Sequence, residues 1–195
     1  MNQPAPRLAT YQDLFDLPDY VIGEILNGQL ITQPRPAPRH ARSASIIGGE
    51  IMAPYDQGRS GPGGWWILDE PELHLGANIL VPDLAGWRRE RMPYFPDEAY
   101  FSIAPDWICE VLSPGTARTD RAVKMPIYAG ESVQWLWLVD PDVRILEVYH
   151  WFEGQWLLEH TWQNNEVAKA PPFDAISMNM SDFWAPQAIV TTTIS

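Results

Sequence analysis

The amino-acid sequence predicts a mixed α/β fold, with helices flanking a central mixed sheet and additional antiparallel hairpins. Short apolar segments separated by turn-forming residues recur along the chain, as expected for β-strands. Two longer segments are helix candidates, one before the central strands and one after them, and the first carries apolar residues at helical spacing. The 195 residues are 46% hydrophobic and 19% charged, a composition typical of a globular chain that buries a sizeable core.

The N-terminal elements are a short helix and a hairpin. The helix is predicted over residues 10–17, with Thr10 as its N-cap and Pro18 closing it. Residues 20–33 have the pattern of two strands that turn at Asn27-Gly28, because both residues tolerate positive φ.

Two longer helices are predicted. The first covers residues 38–55, although the Gly-Gly pair at positions 48–49 disfavours helix. The second covers residues 119–129, where Asp120 is interpreted as the N-cap and Pro126 is expected to kink or shorten the helix.

The remaining regular segments are strands. Residues 88–102 are polar and irregular, with room for one short helix, and residues 178–184 are expected to end in a short helix. Strands are predicted over residues 65–75, 78–87, 106–112, 134–139, 144–151 and 155–161.

Composition also limits the cellular setting. No segment resembles a signal peptide or a membrane span, so we expect a cytoplasmic protein without membrane contact. We expect one domain over residues 1–195, with a core from about 11 to 184. The single cysteine, Cys109, excludes an intrachain disulfide and a thiolate metal cluster, and is interpreted as a core thiol.

Charge gives the main objection to a nucleic-acid-binding function. The formal net charge is −12 at pH 7, which argues against a surface coated with basic side chains. Most of the 13 lysine and arginine residues nevertheless lie between positions 35 and 124. A local basic rim beside an acidic body and an acidic surface that only maintains solubility both remain open.

Two carboxylates occur in apolar strand segments, Asp83 in ILVPDLAGW and Glu110 in DWICEVLSP. Burying either charge costs several kcal/mol unless it is paired. A divalent cation between them would remove both the desolvation cost and the mutual repulsion, and oxygen ligands suit Mg²⁺ or Mn²⁺. The alternative is that each acid pairs with a nearby Arg or Lys. Lys124 follows Glu110 by fourteen positions, on a helix that could fold back beside the strand end.

The pattern resembles the Uma2 (Uma-two) family of endonucleases, within the PD-(D/E)XK restriction-endonuclease-like superfamily. The resemblance covers roughly Tyr11 to Trp184. Its most specific segment is DWICEVLSPGTARTDRAVKMPIYAGESVQWLWLVDP at 106–141, supported by GEILNGQL at 23–30, PRH at 38–40, VPDL at 81–84 and RILEVYHW at 144–151.

The resemblance implies a restriction-endonuclease-like sheet and an active site at one of its edges. It implies that Asp83 and Glu110 are catalytic and hold one or two Mg²⁺ or Mn²⁺ ions. The superfamily's usual lysine, two residues after the acid, is absent because position 112 is Leu. The family instead places its lysine on the following helix, and Lys124 matches that catalytic lysine. Glu24 and His40 match supporting groups of the family.

Asp120 is placed beside these residues as a further supporting group. The implied activity is phosphodiester hydrolysis of nucleic acid, with DNA as the expected substrate and a homodimer as the expected assembly.

Two other functions remain open from the sequence. A non-catalytic scaffold that binds a protein partner would agree with the acidic charge, but it gives no reason to bury acids and a lysine. A tryptophan-lined carbohydrate-binding domain would use the ten tryptophans, which are otherwise explained by an apolar sheet and a dimer interface.

Overall fold

A computed structural model describes residues 7–186 of the chain. The strands are Val21–Leu26 (β1), Gln29–Pro34 (β2), Trp65–Asp69 (β3), Leu73–Leu75 (β4), Asn78–Leu80 (β5), Leu84–Arg88 (β6), Trp107–Val111 (β7), Trp135–Asp140 (β8), Ile145–Phe152 (β9), Gln155–Gln163 (β10), Val167–Ala168 (β11) and Met178–Asn179 (β12). The helices are Gln12–Phe15 (α1), Pro38–Ile51 (α2), Ala117–Thr119 (α3) and Met125–Gly130 (α4), with π-helical turns at Met52–Asp56 and Asp120–Lys124 and a 3₁₀ turn at Met180–Asp182.

The strands form two main sheets and one small ribbon. A six-stranded sheet has the order β10-β9-β8-β7-β6-β3, in which β7 and β8 are parallel and the other neighbours antiparallel. A four-stranded sheet has the order β2-β1-β5-β4, and β11 pairs with β12. The mixed sheet with flanking helices and antiparallel hairpins confirms the predicted fold class.

The central strands β7 and β8 of the six-stranded sheet are buried on both faces, which explains why they are almost continuously apolar. On one face Trp107, Cys109 and Trp137 pack with α2 and the C-terminal segment. Phe173 lies there among the rings of Tyr55, Trp65, Trp107 and Trp137. On the opposite face β7 and β8 pack against α4 and the four-stranded sheet. Because side chains alternate along β7, Glu110 points to this second face, away from Cys109.

Close packing explains why α2 has glycine at position 48, the first of the Gly-Gly pair. A Cβ on Gly48 would lie 3.2 Å from Asp69 Oδ1 and 3.3 Å from a Leu84 methyl group. The absence of a side chain therefore lets α2 approach the six-stranded sheet closely, which offsets the poor helix propensity of glycine.

The helix around Lys124 differs from its prediction. It begins at Ala117, and it continues past Pro126 because the turn before the proline widens to π geometry. Asp120 therefore lies inside the helix, and it makes no capping hydrogen bond. Its interpretation as the N-cap is wrong.

Two predicted strands are each divided between the two sheets. Residues 65–75 form β3 and β4, interrupted at Glu70-Pro71, and residues 78–87 form β5 and β6, interrupted at Val81-Pro82. Proline lacks the N–H that a strand needs, so pairing stops and the chain crosses from one sheet to the other. Residues 89–106 form turns, bends and an isolated bridge at Phe101, and no short helix forms in the room that the sequence leaves for one.

The hairpin prediction is confirmed. β1 and β2 pair from Val21↔Pro34 to Leu26↔Gln29, and the turn residues Asn27 and Gly28 have φ of 51° and 77°. Positive φ at both positions matches the twist of the strands. Among residues 7–186, no helix has the length and apolar character needed to cross a bilayer.

Candidate active site

Lys124 and Glu110 form the centre of a buried polar cluster. Lys124 Nζ donates a hydrogen bond of 3.0 Å to Glu110 Oε1, and the two residues are only 2% and 3% exposed. Glu110 comes from the middle of the six-stranded sheet, and Lys124 ends the π-helical turn that covers this face. The predicted fold-back of the helix onto the strand end is therefore observed.

Glu24 links this pair to the four-stranded sheet. Its Oε1 lies 2.9 Å from Lys124 Nζ and accepts the Val81 N–H at 2.8 Å, while Oε2 accepts a hydrogen bond of 2.9 Å from Gln33 Nε2. Glu24 is fully buried. Val81 immediately precedes the proline at which the chain changes sheets, so Glu24 satisfies a backbone donor that no strand partner could reach.

Asp83 lies at that crossing, next to the end of β7. Its Oδ2 accepts the Val111 N–H at 2.7 Å, and its Oδ1 lies 3.3 Å from His40 Nε2 at the start of α2. Burial lowers the pKa of His40, but the Asp83 carboxylate and the Val111 carbonyl raise it by more, so the pKa lies above its ordinary value.

The structure brings together all six residues selected from the sequence, and it adds one that sequence reasoning missed. Asp120 Oδ1 lies 3.7 Å from Lys124 Nζ, so its place in the cluster is beside the lysine. The missed residue is Tyr128, which is fully buried and donates a hydrogen bond of 2.6 Å from its hydroxyl to Glu110 Oε1. Its position four residues after Lys124, on the same helix face, is the signal that could have identified it.

A cavity of about 290 Å³ opens onto the cluster. Asp83, Glu110, Asp120, Lys124 and His40 all line it, so the two predicted ligands face one space. Its outer wall comes from the proline-rich connector between β2 and α2 and from the turn that follows β7.

Comparison with known proteins identifies the family. The Uma2 family model, described as "Putative restriction endonuclease", matches residues 9–181. The chain belongs to the Uma2 family. A crystal structure of a "putative nuclease" from Anabaena variabilis superposes with a TM-score of 0.70 at 22% identity, covering 90% of this chain and 97% of that chain. At this identity the likeness shows the fold alone. The search of curated proteins finds no match.

In this Uma2 protein, the carboxyl groups around Lys124 outnumber the basic groups. Lys124 is the one ammonium among Glu24, Glu110 and Asp120. Burial raises the pKa of Glu110 well above its ordinary value, and Lys124 opposes that shift. Burial also raises the pKa of Asp120, whereas the carboxylates together keep the pKa of Lys124 high despite its own burial. Lys124 is therefore charged, and a bound proton or cation would relieve the repulsion among the three carboxyl groups.

The oxygen donors are compatible with a magnesium-like ion. Among residues 7–186, no group of three or more His, Cys, Asp or Glu side chains is arranged as a ready metal cage. Mg²⁺ rarely uses such a cage, because it keeps several waters and takes one or two carboxylates together with substrate oxygens. Asp83 and Glu110 at one cavity match that smaller requirement.

Proposed function

We propose that this Uma2 protein is a metal-dependent endonuclease that hydrolyses phosphodiester bonds of nucleic acid. Family membership supports a nuclease-like role. The observation that carries the finer proposal is the meeting of Asp83, Glu110 and Lys124 at one cavity, although the three come from a sheet crossing, a strand and a helix. A scaffold without chemistry would gain nothing from burying this excess of carboxylates, because buried charges are costly.

Each side chain has a separate task in this proposal. Asp83 and Glu110 hold the cation, Mg²⁺ or Mn²⁺, as one or two ions. When bound, the cation lowers the pKa of a water and polarises the phosphate. Lys124 stabilises negative charge on the phosphate or orients the attacking water, because its ammonium is charged and lines the cavity.

The supporting residues fix these groups in place. His40 restrains Asp83 Oδ1, and the Val111 amide restrains Oδ2. Glu24 and Asp120 hold the Lys124 ammonium beside Glu110. Such partners keep a reactive constellation within the narrow geometry that catalysis needs.

A cleavage assay tests the proposal. Purified protein is incubated with circular and linear DNA, single-stranded DNA and RNA, each with Mg²⁺, Mn²⁺ or a chelator. We expect cleavage that requires the cation and occurs within a circular substrate. Loss of a residue that only hydrogen-bonds a metal ligand typically lowers activity roughly 10–100-fold. Asp83→Asn removes a proposed ligand itself, so it should reduce the cleavage rate by more than this.

Asp97→Asn is the matched control, since it makes the same chemical change at an exposed aspartate that does not line the cavity. Its rate should equal that of the wild type. Wild-type protein that cuts none of these substrates with either cation would refute the proposal and leave the non-catalytic scaffold as the better function.

Two finer features complete the proposal. DNA is the expected substrate, and a homodimer is the expected assembly because cutting both strands of a duplex requires two active sites. Equilibrium sedimentation tests the assembly, and a monomer at assay concentrations would contradict it. The expected cytoplasmic location remains a prediction.

A further inference from the structure

Tyr128 has no task in the mechanism above, yet it makes the shortest hydrogen bond to the proposed ligand Glu110. Its hydroxyl donates to Glu110 Oε1 at 2.6 Å, and Lys124 Nζ donates to the same oxygen at 3.0 Å. Two donors on one carboxylate oxygen leave the other oxygen, Oε2, for a different partner.

The two donors are unequal in how firmly they hold the carboxylate. Lys124 Nζ also contacts Glu24 and Asp120, so three carboxylates share this donor and Glu110 does not determine its direction alone. Tyr128 has one donor on a rigid ring, and that ring is fully buried in the core cluster between the two sheets.

We propose that Tyr128 is a positioning residue that holds Glu110 Oε1, so that Oε2 is presented to the cation in the cavity. The inference rests on the proposed function, because it assigns Glu110 to a cation. It predicts that the hydroxyl contributes to cation affinity without touching either the cation or the substrate. Outer-shell partners of this kind typically change metal affinity or activity by about 10–100-fold.

Tyr128→Phe is the direct test, since it removes one oxygen and keeps the ring. Isothermal calorimetry with Mn²⁺ and the full chain measures the effect without relying on activity. We expect the Kd for Mn²⁺ to rise by about 10-fold or more. In the cleavage assay kcat should fall, while the KM for DNA stays near the wild-type value, because the hydroxyl contacts no substrate.

Tyr55→Phe is the matched control. Tyr55 is buried in the core on the opposite face, and its hydroxyl accepts the Ala175 N–H at 3.0 Å. This variant loses the same atom and one hydrogen bond, but on the face away from the cavity, so its Kd for Mn²⁺ should equal that of the wild type. Circular dichroism establishes that both variants are folded before the titrations are compared.

The outcomes separate this inference from the function on which it rests. A wild-type protein that binds Mn²⁺, together with an unchanged Kd in Tyr128→Phe, overturns the positioning role and leaves the nuclease proposal standing. A Kd for Mn²⁺ that rises in Tyr55→Phe as well would show a general loss of rigidity, and this result would also overturn the positioning role of Tyr128. A wild-type protein that binds no Mn²⁺ overturns the positioning role, and the cleavage assay with both cations then decides the nuclease proposal by itself.

Discussion

Replacing Lys124 with methionine should destabilise the protein far more than replacing a surface lysine. Methionine fills a similar volume but leaves Glu24, Glu110 and Asp120 without the ammonium that lies within 3.7 Å of each. Removing one partner of a buried ion pair costs about 3–5 kcal/mol. For a chain of this size each kcal/mol corresponds to about 2–4 °C in Tm, so the expected fall is about 6–20 °C.

The loss should depend on pH. Burial already raises the pKa of Glu110 and of Asp120 in the folded protein, and Lys124 opposes both shifts. In the variant this opposition is gone, so both pKa values lie still further above the unfolded values of about 4. A carboxyl group whose pKa is higher in the folded than in the unfolded protein lowers the free energy of unfolding, and this penalty is complete at pH values above the folded pKa. The penalty disappears at pH values below the unfolded pKa. The difference in free energy of unfolding between the wild type and Lys124→Met should therefore be large near pH 8 and smaller near pH 5.

Urea unfolding followed by tryptophan fluorescence at both pH values measures this gap. Lys169→Met is the control, because Lys169 is the chain's other lysine and is exposed. Surface ion pairs contribute up to about 1 kcal/mol. The reasoning fails if Lys124→Met lowers the free energy of unfolding near pH 8 by less than this. It fails equally if the loss is the same at both pH values.

Three further predictions concern the packing on the face of the six-stranded sheet opposite the site. Phe173→Ala should lower the free energy of unfolding by about 3–5 kcal/mol in urea, because a fully buried ring leaves a cavity in the aromatic cluster; a loss below about 1 kcal/mol would contradict that packing. Gly86→Ala should cost about 1–3 kcal/mol in the same assay, since its Cβ would lie 3.0 Å from an Ile67 methyl carbon and 3.2 Å from the Trp107 ring; an unchanged or higher stability would refute it. Cys109 should resist a thiol reagent at about pH 8 until urea unfolds the chain, because burial raises the pKa of its thiol and blocks access; rapid labelling of the folded protein would disprove this.

Much of the candidate site was accessible from the sequence because its chemistry is unusual where it occurs. A carboxylate within an apolar strand segment is conspicuous, and this property identifies Asp83 and Glu110 without any structure. The long segment at 106–141 added Lys124 by resemblance. Tyr128 was missed because a tyrosine in an apolar helix is most simply explained as core packing.

The sequence by itself determined the classes of element, the hairpin turn at Asn27-Gly28 and the residues able to carry chemistry. These follow from local periodicity and from backbone preferences that each residue brings with it. Only the tertiary structure decided that two apolar runs divide between sheets at Pro71 and Pro82, and that Glu24 and Lys124 are neighbours 100 positions apart in the chain. Such contacts depend on which strands pair and in which register, and that choice is made by the burial of the whole core rather than by any one segment.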